Sequence, residues 1–119
     1  MAVQNKSGEK EPLGVDDLVI QTAMAFGHGA GGVNVTAKAS RLLRAFFKPR
    51  FKDHLKHYRQ HRLAMLAYAT GLGWYAQTLA RTKGRVTVGA SDVRIAIDKM
   101  PCPLLPPVFE LLEKLRAQG

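Results

Sequence analysis

Residues 83–97 read KGRVTVGASDVRIAI, and the fold turns on this stretch. Gly84 punctuates the end of a long helix-compatible run, RVTV at 85–88 is β-branched and short, and Gly89–Asp92 opens a helix. Within that helix Val93, Ala96, Ile97 and Met100 fall at i, i+3, i+4 and i+7, a single buried stripe that Pro101 terminates. Arg85 and Asp92 lie across the loop–helix junction. An ion pair there fixes the turn and sets a carboxylate at the positive end of the helix. Thr87 and nearby backbone N–H groups are placed to donate to phosphate oxygens.

Upstream, residues 53–83 contain no proline, and with Asp53 as cap they predict one helix of about 30 residues, roughly 45 Å long. A compact domain of 119 residues has a diameter nearer about 35 Å. From Leu63 to Leu79 the sequence LAMLAYATGLGWYAQTL is apolar or small on every face, which only a helix covered on all sides tolerates. Two short helices are expected to cover one side. The first, capped by Asp16, carries Leu18, Val19, Ile20, Ala23, Met24 and Phe26, and the second runs from about Thr36 to Phe47 before Pro49 ends it. The other side is expected to meet a second polypeptide through Leu63, Leu66, Thr70, Gly71, Gly73 and Trp74. Gly71 and Gly73 each cost about 1 kcal/mol in a helix interior, a cost that a close helix crossing explains.

The chain thus divides into a mobile tail (1–14), an N-terminal helix with a glycine-rich joint (15–35), a helical core (36–100) and an amphipathic C-terminal helix (101–119). Val108, Leu111, Leu112 and Leu115 form the stripe of that last helix. Composition bounds the function. The formal net charge is +9, and between Lys38 and Arg85 twelve Lys and Arg face a single acid, Asp53. Such a concentration makes a positive field that attracts polyanions. Arg50, Lys52, Lys83 and Arg85 supply charge at the ends of the long helix, and Arg41 and Arg44 lie on the helix before it.

The order short helix, basic loop, long helix, short β-loop, short helix resembles the histone fold. Arg85, Thr87 and Asp92 match that family's Arg, Thr two residues on and Asp seven residues on, and the spacing of Arg41 and Arg50 is similar to that in archaeal-type histones. The resemblance covers about residues 36–100 and implies an all-α fold in which two chains cross their long helices head to tail in a handshake dimer. The N-terminal and C-terminal helices are additions to it. The first loop of one chain, RFK at 50–52, then pairs with RVTV of the other. A homodimer or tetramer, or a dimer with a second histone-fold chain, is the expected assembly. The implied partner is double-stranded DNA, bent, wrapped or compacted in the nucleoid or the nucleus. Arg41, Arg44, Lys48, Arg50, Lys52, Lys83, Arg85 and Thr87 are the expected contacts, neutralising phosphates with little base reading. An NF-Y-like or other regulatory subunit that dimerises with a different chain is the alternative, and a small helical nucleotide-binding protein or enzyme is the remote one.

Other chemistry finds weaker support. Gly27, Gly29 and Gly32 have the G-x-G-x-x-G spacing of a dinucleotide loop, but no second strand follows, so they are read as a flexible joint. His54, His57 and His61 share a helix face amid Lys56, Arg59 and Arg62, a poor cation site, and no metal or cofactor is expected. Cys102, between two prolines, is read as an inert reduced thiol. No acid–base or nucleophile constellation stands out, so the expectation is a non-enzyme. No signal sequence or membrane span is read, and an intracellular location is expected.

Overall fold

The computed structural model describes residues 13–102, 111 and 114–118. Most of the expected tail lies outside them, as do Val108 and Leu112 of the C-terminal stripe. The described chain is all-helical: α1 (Val15–Gly29), α2 (Ala37–Asp53), α3 (Leu55–Gln60), α4 (Arg62–Thr82) and α5 (Ala90–Lys99). Leu111 and residues 114–118 are also helical.

Helix α1 starts one residue before Asp16. Asp17 reaches back to accept the Gly14 N–H at 3.1 Å, and both acids sit in the first turn, where the helix dipole favours them. The glycine run then resolves into distinct jobs. Gly27 and Gly29 are helical, whereas Gly31 and Gly32 take φ of 74° and 75° in the turn that closes α1. Backbone bonds from Gly31 to His28 and from Gly32 to Gly27 build that turn. The chain then extends through Val35, which forms a parallel bridge with Val88. Val88 donates to Asn34 O at 2.9 Å and accepts from Thr36 N–H at 3.0 Å. The next residue on each side, Thr36 or Gly89, is the N-cap of α2 or α5. Two helix–turn–helix units, α1–α2 and α4–α5, are therefore laid side by side.

The expected helical lengths are redistributed. Helix α2 does not stop at Pro49 but continues to Asp53. Pro49 forfeits one backbone bond and strains the turn before it, a cost of about 3 kcal/mol, and the fully buried Phe51 beyond it offsets that cost. Phe51 stacks on Phe47 at 5.4 Å and meets Tyr58 edge-on at 5.1 Å. The predicted single helix over 53–83 is broken at His54 (φ −132°, ψ 36°) and His61 (φ −113°, ψ 32°), leaving short α3 between them. Tyr58, on α3, is buried in the core beside Phe51. RFK at 50–52 is consequently helical, and RVTV pairs with VNVT at 33–36 of its own chain.

The core forms where α1 crosses α4 and α2 lies on α5. Leu18, Phe26, Phe47, Phe51, Met65, Leu72 and Val93 are among its buried members. A Cβ built on Gly29 would overlap the Thr70 carbonyl, and one on Gly73 the Phe26 carbonyl, so the α1 and α4 backbones touch there. The close crossing expected of Gly73 is thus made within the chain, by α1. Among the described residues no helix is long and apolar enough to cross a membrane. Gly73→Ala is expected to cost about 3 kcal/mol or more. Gly27→Ala, where a Cβ meets nothing within 4 Å, is expected to be neutral or to stabilise by up to about 1 kcal/mol. Urea titration of both variants checks the pair.

Candidate nucleic-acid interface

Thr36 caps α2 by accepting the Ala39 N–H at 3.1 Å. From that cap the helix divides sharply. Ala39, Leu43, Phe47 and Phe51 are buried, and the opposite side carries Lys38, Arg41, Arg44, Lys48 and Lys52, all exposed. From Arg41 to Lys52 the cations span about 16 Å along the helix. Arg41, Arg44, Lys48 and Lys52 line one shallow depression with Ala45, Pro49 and Asp53. One carboxylate approaches the middle of the row, Asp16 at 3.9 Å from Lys48, with both side chains well exposed. Such a surface pair is worth at most about 1 kcal/mol and yields readily to a polyanion.

The other expected contacts are employed differently. Arg50 points away from this face: its guanidinium lies 3.8 Å over the Phe46 ring and Nη1 donates to Phe46 O at 2.6 Å. Arg85 forms a two-pronged pair with Asp92, at 2.7 Å from Nη1 and 2.8 Å from Nη2, and Nη1 also donates to Thr87 O at 3.2 Å. Asp92 is fully buried and also accepts the Gly89 N–H at 2.9 Å. The hydrogen bonds from Arg85, then that from Gly89 and the positive charges of Arg85 and Lys83, hold its carboxyl below the usual value against the opposing effect of burial. Arg85 is raised in turn, chiefly by its hydrogen bonds to Asp92. Lys83 remains exposed at the end of α4, and Val86 stands out at the tip of the following loop. Lys38, which extends the α2 row toward that loop, was not among the sequence-expected contacts. Its place at i−3 from Arg41 was the available signal.

The residues expected at a dimer contact also separate. Gly73 is buried under α1, and a Cβ on Gly71 would meet Met100 Cε at 3.0 Å. Leu66 and Thr70 are half-buried, with the Thr70 hydroxyl bonded to Leu66 O. Leu63 and Trp74 stay 76% and 61% exposed. Cys102 is buried, its sulfur 3.9 Å from both Tyr58 Oη and Met65 Sδ. Burial pushes the Tyr58 and Tyr68 hydroxyls well above the usual tyrosine range. Among the described residues no three His, Cys, Asp or Glu converge on a metal position.

Comparison of the chain with known protein families, characterised proteins and solved structures finds no match. The chemistry of the site must speak for itself. It offers an extended cationic row with no enclosing pocket, suited to an extended polyanion rather than to a small ligand.

The Arg85–Asp92 pair has a definite pH signature. Because the folded Asp92 carboxyl is depressed, the stability it contributes is present in full above the unfolded value of about 3.9 and vanishes as pH falls through the lower folded value. Asp92→Ala is expected to lower stability by on the order of 2–3 kcal/mol at pH 7, with the gap to the parent narrowing toward pH 3. Denaturant midpoints at the two pH values check this.

Proposed function

We propose that the protein binds double-stranded DNA with little sequence specificity, as a histone-like protein that bends or compacts it. The observation that carries this is the exposed row of Lys38, Arg41, Arg44, Lys48 and Lys52 along α2, with the 83–88 loop paired beside the start of that helix. Phosphates repeat along each strand, so a row of cations on a rigid helix neutralises several at once and releases their counterions. Discrimination between bases requires groups that form two-pronged contacts with base edges. Arg50 and Arg85 are occupied within the chain, which leaves Arg41 and Arg44 among lysines that act as point charges on phosphates.

The histone-fold reading is supported by the Arg85–Asp92 pair at the turn before α5. In this chain RVTV pairs with VNVT of the same molecule, through Val35 and Val88, in place of the pairing with RFK of a second subunit. We read it as a variant of that fold whose core closes without a partner. A second copy, or a different histone-fold chain, is the expected occupant of the apolar strip at Leu63 and Trp74. The exposure of that strip also favours the second reading, an interaction subunit of a transcription or chromatin complex.

DNA titrations at several salt concentrations test the proposal. The parent is expected to lose roughly 10³-fold or more in affinity between about 50 and 200 mM salt, and random duplexes are expected to compete as well as any chosen sequence. Replacing Arg41, Arg44 and Lys48 by Ala is expected to flatten the slope of log affinity against log salt by about 0.9 per lost contact. Arg50→Ala is expected to leave the slope unchanged. A folded triple variant with the parent's slope refutes the α2 face as the contact.

A further inference from the structure

We propose that the groove between α1 and α2 receives the C-terminal helix of a second copy of this chain. The groove is lined by Val19, Ile20, Ala23, Met24 and Leu43, with Arg44 at its edge, and encloses about 420 Å³. Nothing in the described chain fills it, and Ile20 and Met24 remain 57% and 69% exposed one helical turn apart. Apart from Ser40 and Arg44 its lining is apolar, so it suits an apolar helix ridge rather than the DNA partner of the α2 face, which lies around the other side of Arg44.

A matching surface is present on the same molecule. Leu111 and residues 114–118 are all exposed, and Leu111 and Leu115, four positions apart in sequence, are each 55% exposed. The segment therefore does not bury this ridge on its own chain. Two ridges of that spacing interdigitate when helices pack. Charge selects the orientation. The N-terminal turn of α1 carries Asp16 and Asp17, and Lys114 and Arg116 lie at the far end of the C-terminal segment. With the incoming helix antiparallel to α1, Leu111 meets Met24, Leu115 meets Ile20, and the cations reach the two acids. Cys102 and Leu111 are nine residues apart, a reach of up to about 30 Å, enough to cross to a neighbouring molecule. Exchange of the two helices about a two-fold axis covers the groove and the Leu111–Leu115 ridge on both copies, and leaves the separate strip at Leu63 and Trp74 untouched.

The experiment is position-specific cross-linking of the full chain without DNA. A Met24→Cys protein is mixed with a differently tagged Leu115→Cys protein and mildly oxidised, with the parent as control because Cys102 is buried. The expected product is the mixed disulfide dimer. No mixed dimer overturns the proposal, and so does a Met24→Cys, Leu115→Cys double variant that links only within one chain, because the groove then holds its own helix. A dimer formed through Leu63 and Trp74 does not yield this cross-link, and the outcome leaves the DNA reading untouched. In sedimentation, Leu111→Glu with Leu115→Glu is expected to weaken self-association by about a hundredfold or more while the thermal melt of the helical core holds. A parent that stays monomeric at high concentration also overturns the proposal.

Discussion

The close crossing of α1 and α4 is the contact on which the rest of the architecture hangs. Gly29 and Gly73 remove the two side chains that would hold the helices apart, each against a backbone carbonyl of the other helix. Each glycine weakens its own helix by about 1 kcal/mol relative to alanine. In exchange the approach buries Leu18, Phe26, Leu72 and Ala76, at about 1.5–3 kcal/mol for each large side chain. Once α1 and α4 are in contact, the turns that follow them lie together, and the Val35–Val88 bridge follows. That bridge sets the starting points of α2 and α5, so α2 turns one face to the core and the other to solvent.

A second constraint acts through aromatic rings. Phe47, Phe51, Tyr58 and Tyr68 form a chain of contacts, with Phe47 meeting Tyr68 at 6.2 Å. They draw α2 past Pro49 and bend the chain at His54 and His61. The same packing decides which arginine is available. Arg50 falls on the Phe46 side of the helix and spends its charge there, while Arg41, Arg44, Lys48 and Lys52 stay on the opposite side. An arginine held over an aromatic ring and bonded to a carbonyl is part of the scaffold, and its removal tests packing more than binding.

The two kinds of charge in the molecule thus behave differently. The α2 row is solvated, so its interactions are screened over about 10 Å in ordinary salt. The Arg85–Asp92 pair has one partner fully buried, with hydrogen bonds from Arg85 and Gly89. It holds a turn. Sequence proximity does not separate these roles, since Lys83 and Arg85 are two residues apart and only the latter is committed.

What the sequence alone determined is what depends on neighbours within about two helical turns. The all-helical class follows from the periodic apolar positions, as with Val93, Ala96 and Ile97 in α5. The Arg85–Asp92 pair spans seven residues of local chain, and the start of α2 near Thr36 was also legible, whereas the caps expected of Asp16 and Asp53 fall to Gly14 and His54. The concentration of positive charge was equally plain, because it needs only counting. The rest depended on contacts between distant residues. Gly29 meets Thr70 and Gly73 meets Phe26, and no periodicity announces which helix will lie against a glycine. Pro49 and the run 53–62 looked like a stop and a continuous helix, because local propensity carries no information on where Phe51 and Tyr58 will be buried. The pairing of VNVT with RVTV joins segments some fifty residues apart. Tertiary packing supplied these choices, since several kcal/mol of burial outweigh local preferences of about one.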